Sequence, residues 1–246
     1  MYRVRRALIW SLQFVDYGLF VFFVLIKLYL FGKLAGIVFP NMNMVRATIG
    51  SVLLASFWAA LLPGRARLAV LLALNALISL VIFADLVYYR YFGDFITVPV
   101  LLQAGQAGAL GDSIASLIDW RDIFLWLDLL LAPLLLLLRK RLRRARPGPV
   151  RRRTAVAVRA ALAALAGCVG FALVFQPVKA YTDKYGTNLF INNWWNVAIY
   201  NVTGLIGFHY VDAKRFVTDR LSRPPLTPEE EAAAREWLDH RRSGLK

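Results

Sequence analysis

The chain has one cysteine, two histidines and half as many acidic as basic side chains, 15 against 30, in 246 residues. A lone Cys168 excludes a disulfide framework and a cysteine-built metal site. His209 and His240 stand isolated in the sequence, so no metal-ligand cluster is offered. Gly105, Gly108 and Gly111 lack the flanking strand and helix of a phosphate-binding loop, and no nucleophile elbow is present. Nor is there a recognisable nucleophile with its base. Taken alone, the chain is expected not to be an enzyme and to hold no cofactor.

What it has is apolar length. Hydrophobic residues make up 59% of the chain and the mean hydropathy is +0.54, yet the formal charge is +15. Apolar spans alternating with basic loops reconcile these values. Five stretches, about 7–31, 45–62, 68–89, 122–138 and 155–175, are long enough to cross ~30 Å of hydrocarbon as helices. The expected fold is therefore an all-α integral membrane protein. A transmembrane domain of five spans occupies 1–176, and an exported connector occupies 177–246. The basic residues lie beside the spans, where anionic headgroups are the nearer partner, so nucleic acid is not an expected one.

Orientation follows the Lys and Arg residues. Arg3, Arg5 and Arg6 precede span one, Arg65 and Arg67 join spans two and three, and RKRLRRARPGPVRRR (139–153) joins spans four and five. The alternate loops carry little net positive charge. The N-terminus is thus expected in the cytoplasm and the C-terminus outside. The long outer loop after span three mixes apolar residues with glycines, which suits short interfacial helices with Tyr88, Tyr89, Tyr91, Phe92 and Trp120 at headgroup depth. After span five, NLFINNWWNVAIYNVTGLIGFHYVDAKRF reads as an amphipathic helix on the outer leaflet. A further helix starts at Pro228 with acids in its first turn.

Charges inside spans are costly and mark candidate sites. Asp16 and Lys27 share one face of span one, Asp85 lies near the outer end of span three, and Asp128 precedes a kink expected at Pro133. Lys27 is near enough to the outer end to snorkel, and a Lys27–Asp85 pair is plausible.

The run ADLVYYRYFGDFITVPVLLQAGQAGALGDSIASLIDWRDIFLWLD closely resembles the membrane part of lipoteichoic acid synthases. Its marks are Tyr89, Arg90, Tyr91, Phe92, Asp94, Phe95, Thr97, Gln103, Trp120, Asp122 and Asp128; LIKLYLF and FINNWWNVAIYNV resemble the family too. The resemblance implies a membrane module serving a large extracellular domain of the sulfatase type, in cis or in trans. That domain would carry the catalytic Thr and manganese, and would build polyglycerol phosphate from phosphatidylglycerol. No catalytic residue transfers to this chain. Beside that resemblance, Arg90 and Lys27 are candidates to bind a lipid phosphate, in a pocket shaped by Arg90, Asp94, Gln103 and Asp122. The alternative is that these residues lock the loop onto the helices. Two other functions compete: a non-catalytic accessory partner of a separate synthase, and a small transporter using Asp16, Asp85 and Asp128 as a polar path.

Overall fold

The computed structural model describes residues 14–37, 41–103, 116–130, 152–192, 195–222 and 228–243. The fourth span beyond Leu130, the kink at Pro133, most of the basic cluster and the loop glycines Gly105, Gly108 and Gly111 lie outside the described residues. Every described element is helical. In order they are α1 (Val15–Leu34), α2 (Met42–Ser56) continued by a 3-10 turn (Phe57–Leu61), α3 (Gly64–Phe92) and α4 (Val98–Leu102). A second 3-10 turn (Trp120–Leu125) leads into α5 (Leu127–Leu130). Then come α6 (Arg152–Tyr185), α7 (Asn188–Ile191), α8 (Asn196–Ser222) and α9 (Pro228–Ser243).

Four helical segments are long and apolar enough to cross a membrane: Val15–Leu34, Met42–Leu61, Gly64–Phe92 and Thr154–Tyr185. Local chemistry sets their ends. Asn41 caps α2, its side chain accepting from the Met44 N–H at 2.8 Å. Gly93 closes α3 in the left-handed region at φ 69°, donating its N–H to the Tyr89 carbonyl at 2.8 Å. α6, expected as the fifth span, does not stop near 176 as the sequence suggests. It runs through Pro177 to Tyr185, so the boundary placed there falls inside one continuous helix.

Packing explains why small residues recur on α2 and α6. These helices meet at Gly50 and Gly170, where a Cβ on Gly50 would lie 2.7 Å from the Gly170 carbonyl oxygen. Such close backbone approach is how helices associate where lipid removes the hydrophobic driving force. α8 is held against α2 and α6, and is broken at Gly204, with φ 70° and ψ 175°. A Cβ there would meet Thr48 Oγ1 at 2.2 Å, so both backbone and space demand glycine.

The expectation of an amphipathic helix spread on the leaflet is corrected here. Ile199, Tyr200, Leu205 and Phe208 of α8 are buried in the bundle's core with Phe31 and Phe95. Elsewhere the interior holds polar side chains among apolar ones. Arg67, Asn75, Ser79 and Asp85 of α3 are buried, whereas Leu77 and Leu80 of the same helix are exposed. Replacing Gly50 with Leu is expected to force α2 from α6 and cost on the order of 1–3 kcal/mol or more. Thermal unfolding in detergent micelles measures it, with Gly18→Leu, which has open space around it, as the tolerated control.

Candidate functional site at the aromatic end of the bundle

One end of the bundle gathers rings from four segments. Phe95 lies 6.1 Å from Phe31, 5.3 Å from Tyr89, 4.9 Å from Tyr200 and 5.2 Å from Phe208, centroid to centroid. Around this knot, carboxylates tie the segment after α3 to its neighbours. Asp85 Oδ1 accepts from the Ile96 N–H at 2.9 Å, and its Oδ2 lies 2.6 Å from His209 Nε2. Asp94 accepts from Asn196 Nδ2 at 2.9 Å and from the Phe95 N–H at 2.8 Å. Asp212 accepts from the Val98 N–H at 2.7 Å. α8 is thereby strapped to that short segment at Asp94 and Val98, and to the end of α3 at Asp85.

Burial pushes the Asp212 carboxyl above its ordinary range; the Val98 N–H and the charges of His209 and Arg215 oppose this, and Asp85 adds to it. Burial likewise lowers the Arg215 guanidinium, with Asp212 and Asp219 acting the other way. Arg215 donates to the carbonyls of Phe190 and Leu189, tying α8 to α7. Burial also raises the Tyr200 phenol.

Arg90 forms a fork with Asp122, Nη1 to Oδ2 at 2.7 Å and Nη2 to Oδ1 at 2.8 Å, and also donates to the Leu117 carbonyl at 2.9 Å. Asp122 further accepts from the Asp119 N–H, while Asp119 accepts from the Arg121 N–H, a reciprocal cap on the 3-10 turn.

Lys27 lies elsewhere. Its ammonium pairs with Asp128 at 2.7 Å and donates to Asn75 Oδ1 at 2.8 Å and Ser79 Oγ at 2.5 Å. Asn75 in turn donates to Asp128 at 2.6 Å. Ser79 and Arg90 are eleven residues apart on α3, about 16 Å along its axis. Lys27 and Arg90 therefore do not converge on one phosphate.

The plausible Lys27–Asp85 pair is absent: Asp85 is engaged by His209 and Ile96, and Lys27 finds Asp128. Nor does Lys27 snorkel, being 2% exposed within the bundle. Asp16 pairs with Arg67, with N–O distances of 2.9–3.2 Å, at the end opposite the ring knot. Gln103 caps α4 and is exposed. Each of the three acids named as a polar path, Asp16, Asp85 and Asp128, thus has a partner of its own.

The sequence showed His209 only as an isolated histidine and did not single out Asp212, Asn196, Asn75 and Ser79. Two of these carried a signal: Asn75 and Ser79 are polar residues four apart inside an apolar helix, hence on one face. Among the described residues no group of three or more His, Cys, Asp or Glu is placed to hold a metal ion. That donor set does not fit manganese.

Charged and polar side chains buried among apolar ones, large apolar side chains exposed on the helix surfaces, and four helices of membrane length make this a helical membrane protein. The family described as "Lipoteichoic acid synthase N-terminal domain" matches residues 4–223, and the chain belongs to it. It is similar to lipoteichoic acid synthase 1 of Bacillus subtilis, 35% identical over 85 residues, which is 35% of this chain and 13% of that protein. Lipoteichoic acid synthase 2 of the same organism is 44% identical over 59 residues, 24% of this chain and 9% of that one. Lipoteichoic acid synthase of Staphylococcus aureus is 32% identical over 54 residues, 22% of this chain and 8% of that one. The aligned segments thus span about a tenth of these relatives' length. No solved structure matches the chain.

Two outcomes follow. Lys27→Met leaves Asp128 buried and unpaired and is expected to cost about 3–5 kcal/mol, whereas adding Asp128→Leu restores most of it; thermal unfolding of both variants in micelles reads the difference. For Asp212, a raised carboxyl means that the native state holds a proton the unfolded chain has released. Its contribution is gained as pH falls toward the ordinary value of 3.8 and lost as pH rises through the raised one. Asp212→Asn keeps an acceptor for Val98, so its melting temperature should gain on the parent's as pH rises from acid to neutral.

Proposed function

We propose that the chain is the membrane anchor and lipid-substrate module of a lipoteichoic-acid-synthase-like glycerophosphotransferase, which builds polyglycerol phosphate from phosphatidylglycerol. The family match across residues 4–223 carries this reading. In it the N-terminus is cytoplasmic and the chain crosses the cell membrane five times. The aromatic end faces outward, where α8 and α9 lead toward a sulfatase-type catalytic domain in cis or in trans. Manganese belongs to that domain.

The residues supply a physical division of labour. The aromatic knot and its three carboxylates hold α8 rigidly at the outer face, so that whatever follows α8 is held close to the membrane rather than on a free tether. The Arg90–Asp122 fork fixes the start of the fourth span against the end of the third. Arg90, Asp94, Gln103 and Asp122 then shape the surface where the lipid headgroup is met, with Arg90 acting by holding the loop. Lys27 belongs to the bundle's interior and is not part of that surface.

The test uses a chimaera of this chain with the rest of lipoteichoic acid synthase 1, in cells lacking their own synthase. Polymer restored to the cell surface supports the module's role. A correctly inserted chimaera that makes none, beside a parent that does, opposes it. Within that chimaera Arg90→Ala is expected to lower polymer severalfold at equal protein level. The exchange Arg90→Asp with Asp122→Arg is expected to recover it if Arg90 holds the loop; lack of recovery assigns Arg90 to direct phosphate contact.

A further inference from the structure

The thirteen residues from Ile118 to Leu130 are folded inside out. Asp122, Leu125 and Asp128 are 2, 0 and 6% exposed, while Ile118, Trp120, Ile123, Phe124, Leu127 and Leu130 are between 42 and 72% exposed. In water this arrangement is doubly unfavourable, since it buries two carboxylates and presents six large apolar side chains. In a bilayer it is the stable one, because the acids reach Arg90 and Lys27 inside and the apolar groups meet lipid. On α3, Leu77 and Leu80 are exposed as well. Among these apolar residues stands Arg121. It is exposed, its guanidinium lies 5.8 Å from the Trp120 ring centroid, and it takes no carboxylate among the described residues.

From this juxtaposition we infer a phospholipid-binding ledge. Acyl chains of a lipid in the leaflet at the aromatic end lie against Ile118, Trp120, Ile123 and Phe124, and its phosphate is held by Arg121. The 3-10 turn makes this possible, because its reciprocal Asp119–Asp122 cap satisfies the backbone at the point where the chain re-enters hydrocarbon. The Arg90–Asp122 fork fixes the ledge's depth from behind. The ledge takes any phosphodiester lipid, and it differs from the headgroup surface proposed above in using Arg121, which has no part in the Arg90 fork. It rests on the membrane character of the chain and not on the synthase reading.

The whole chain in nanodiscs tests it. With Cys168→Ala and Ile123→Cys carrying a nitroxide, collisions with oxygen are expected to exceed those with a water-soluble nickel chelate severalfold. Greater nickel access, or access to neither probe because a second copy or another protein segment covers the ledge, overturns the inference. Native mass spectrometry from mixed phosphatidylglycerol and phosphatidylcholine discs reads the headgroup arm. Arg121→Ala is expected to lose one retained phospholipid of either kind, and Arg121→Lys to keep it. Equal retention by Arg121→Ala overturns the phosphate contact. Loss confined to phosphatidylglycerol overturns the claim that any phosphodiester is taken.

Discussion

A charge placed in hydrocarbon must find a partner from another helix, and this requirement organises the bundle. Lys27 of α1 pairs directly with Asp128 of α5 and donates to Asn75 and Ser79 of α3. One buried ammonium thereby sets the register of three segments. Each contact on its own is modest in net terms, since burying both ions costs several kcal/mol before their attraction is counted. What the network gives is a single permitted arrangement, because any sliding of one helix leaves a bare ion in lipid. The Asp16–Arg67 pair does the same near the opposite end of α1 and α3.

At the aromatic end the logic changes from ions to rings and carboxylate caps. Phe95 occupies the centre of five rings only because Gly93 turns the chain back at the end of α3 and Asp85 captures the Ile96 N–H. α8 then closes over it, its break at Gly204 allowing the helix to lie against Thr48 before Phe208 reaches the knot. The result joins the membrane helices to the segment that follows them as one packed unit.

Much of this was legible from residue types. The apolar runs marked α1, α2, α3 and α6, and Pro228 with Glu229–Glu231 marked the start of α9. The resemblance around Arg90, Asp94 and Asp122 pointed to residues that the structure gathers near the end of α3. Partners were not legible, because pairing depends on the rotation of each helix about its axis, which composition does not fix. Lys27 was matched to Asp85 on depth alone, whereas the difference of six residues between Asp85 and Ser79 is about 9 Å along α3. α8 was misplaced for a related reason: an apolar stripe reads alike whether it faces lipid or a groove. Thr203, Gly204 and Gly207 were the discriminating signal, since small residues in series mark a helix that must approach another closely.

The proposed orientation puts the aromatic end, with α8 and α9, on the outer side of the cell membrane. Single cysteines decide it in the Cys168→Ala background, one at Trp237 in α9 and one at Arg65 at the start of α3, treated with a membrane-impermeant maleimide. Intact cells should label the Trp237→Cys chain at once and the Arg65→Cys chain only after permeabilisation. The reverse pattern, or labelling of both on the same side, contradicts the account.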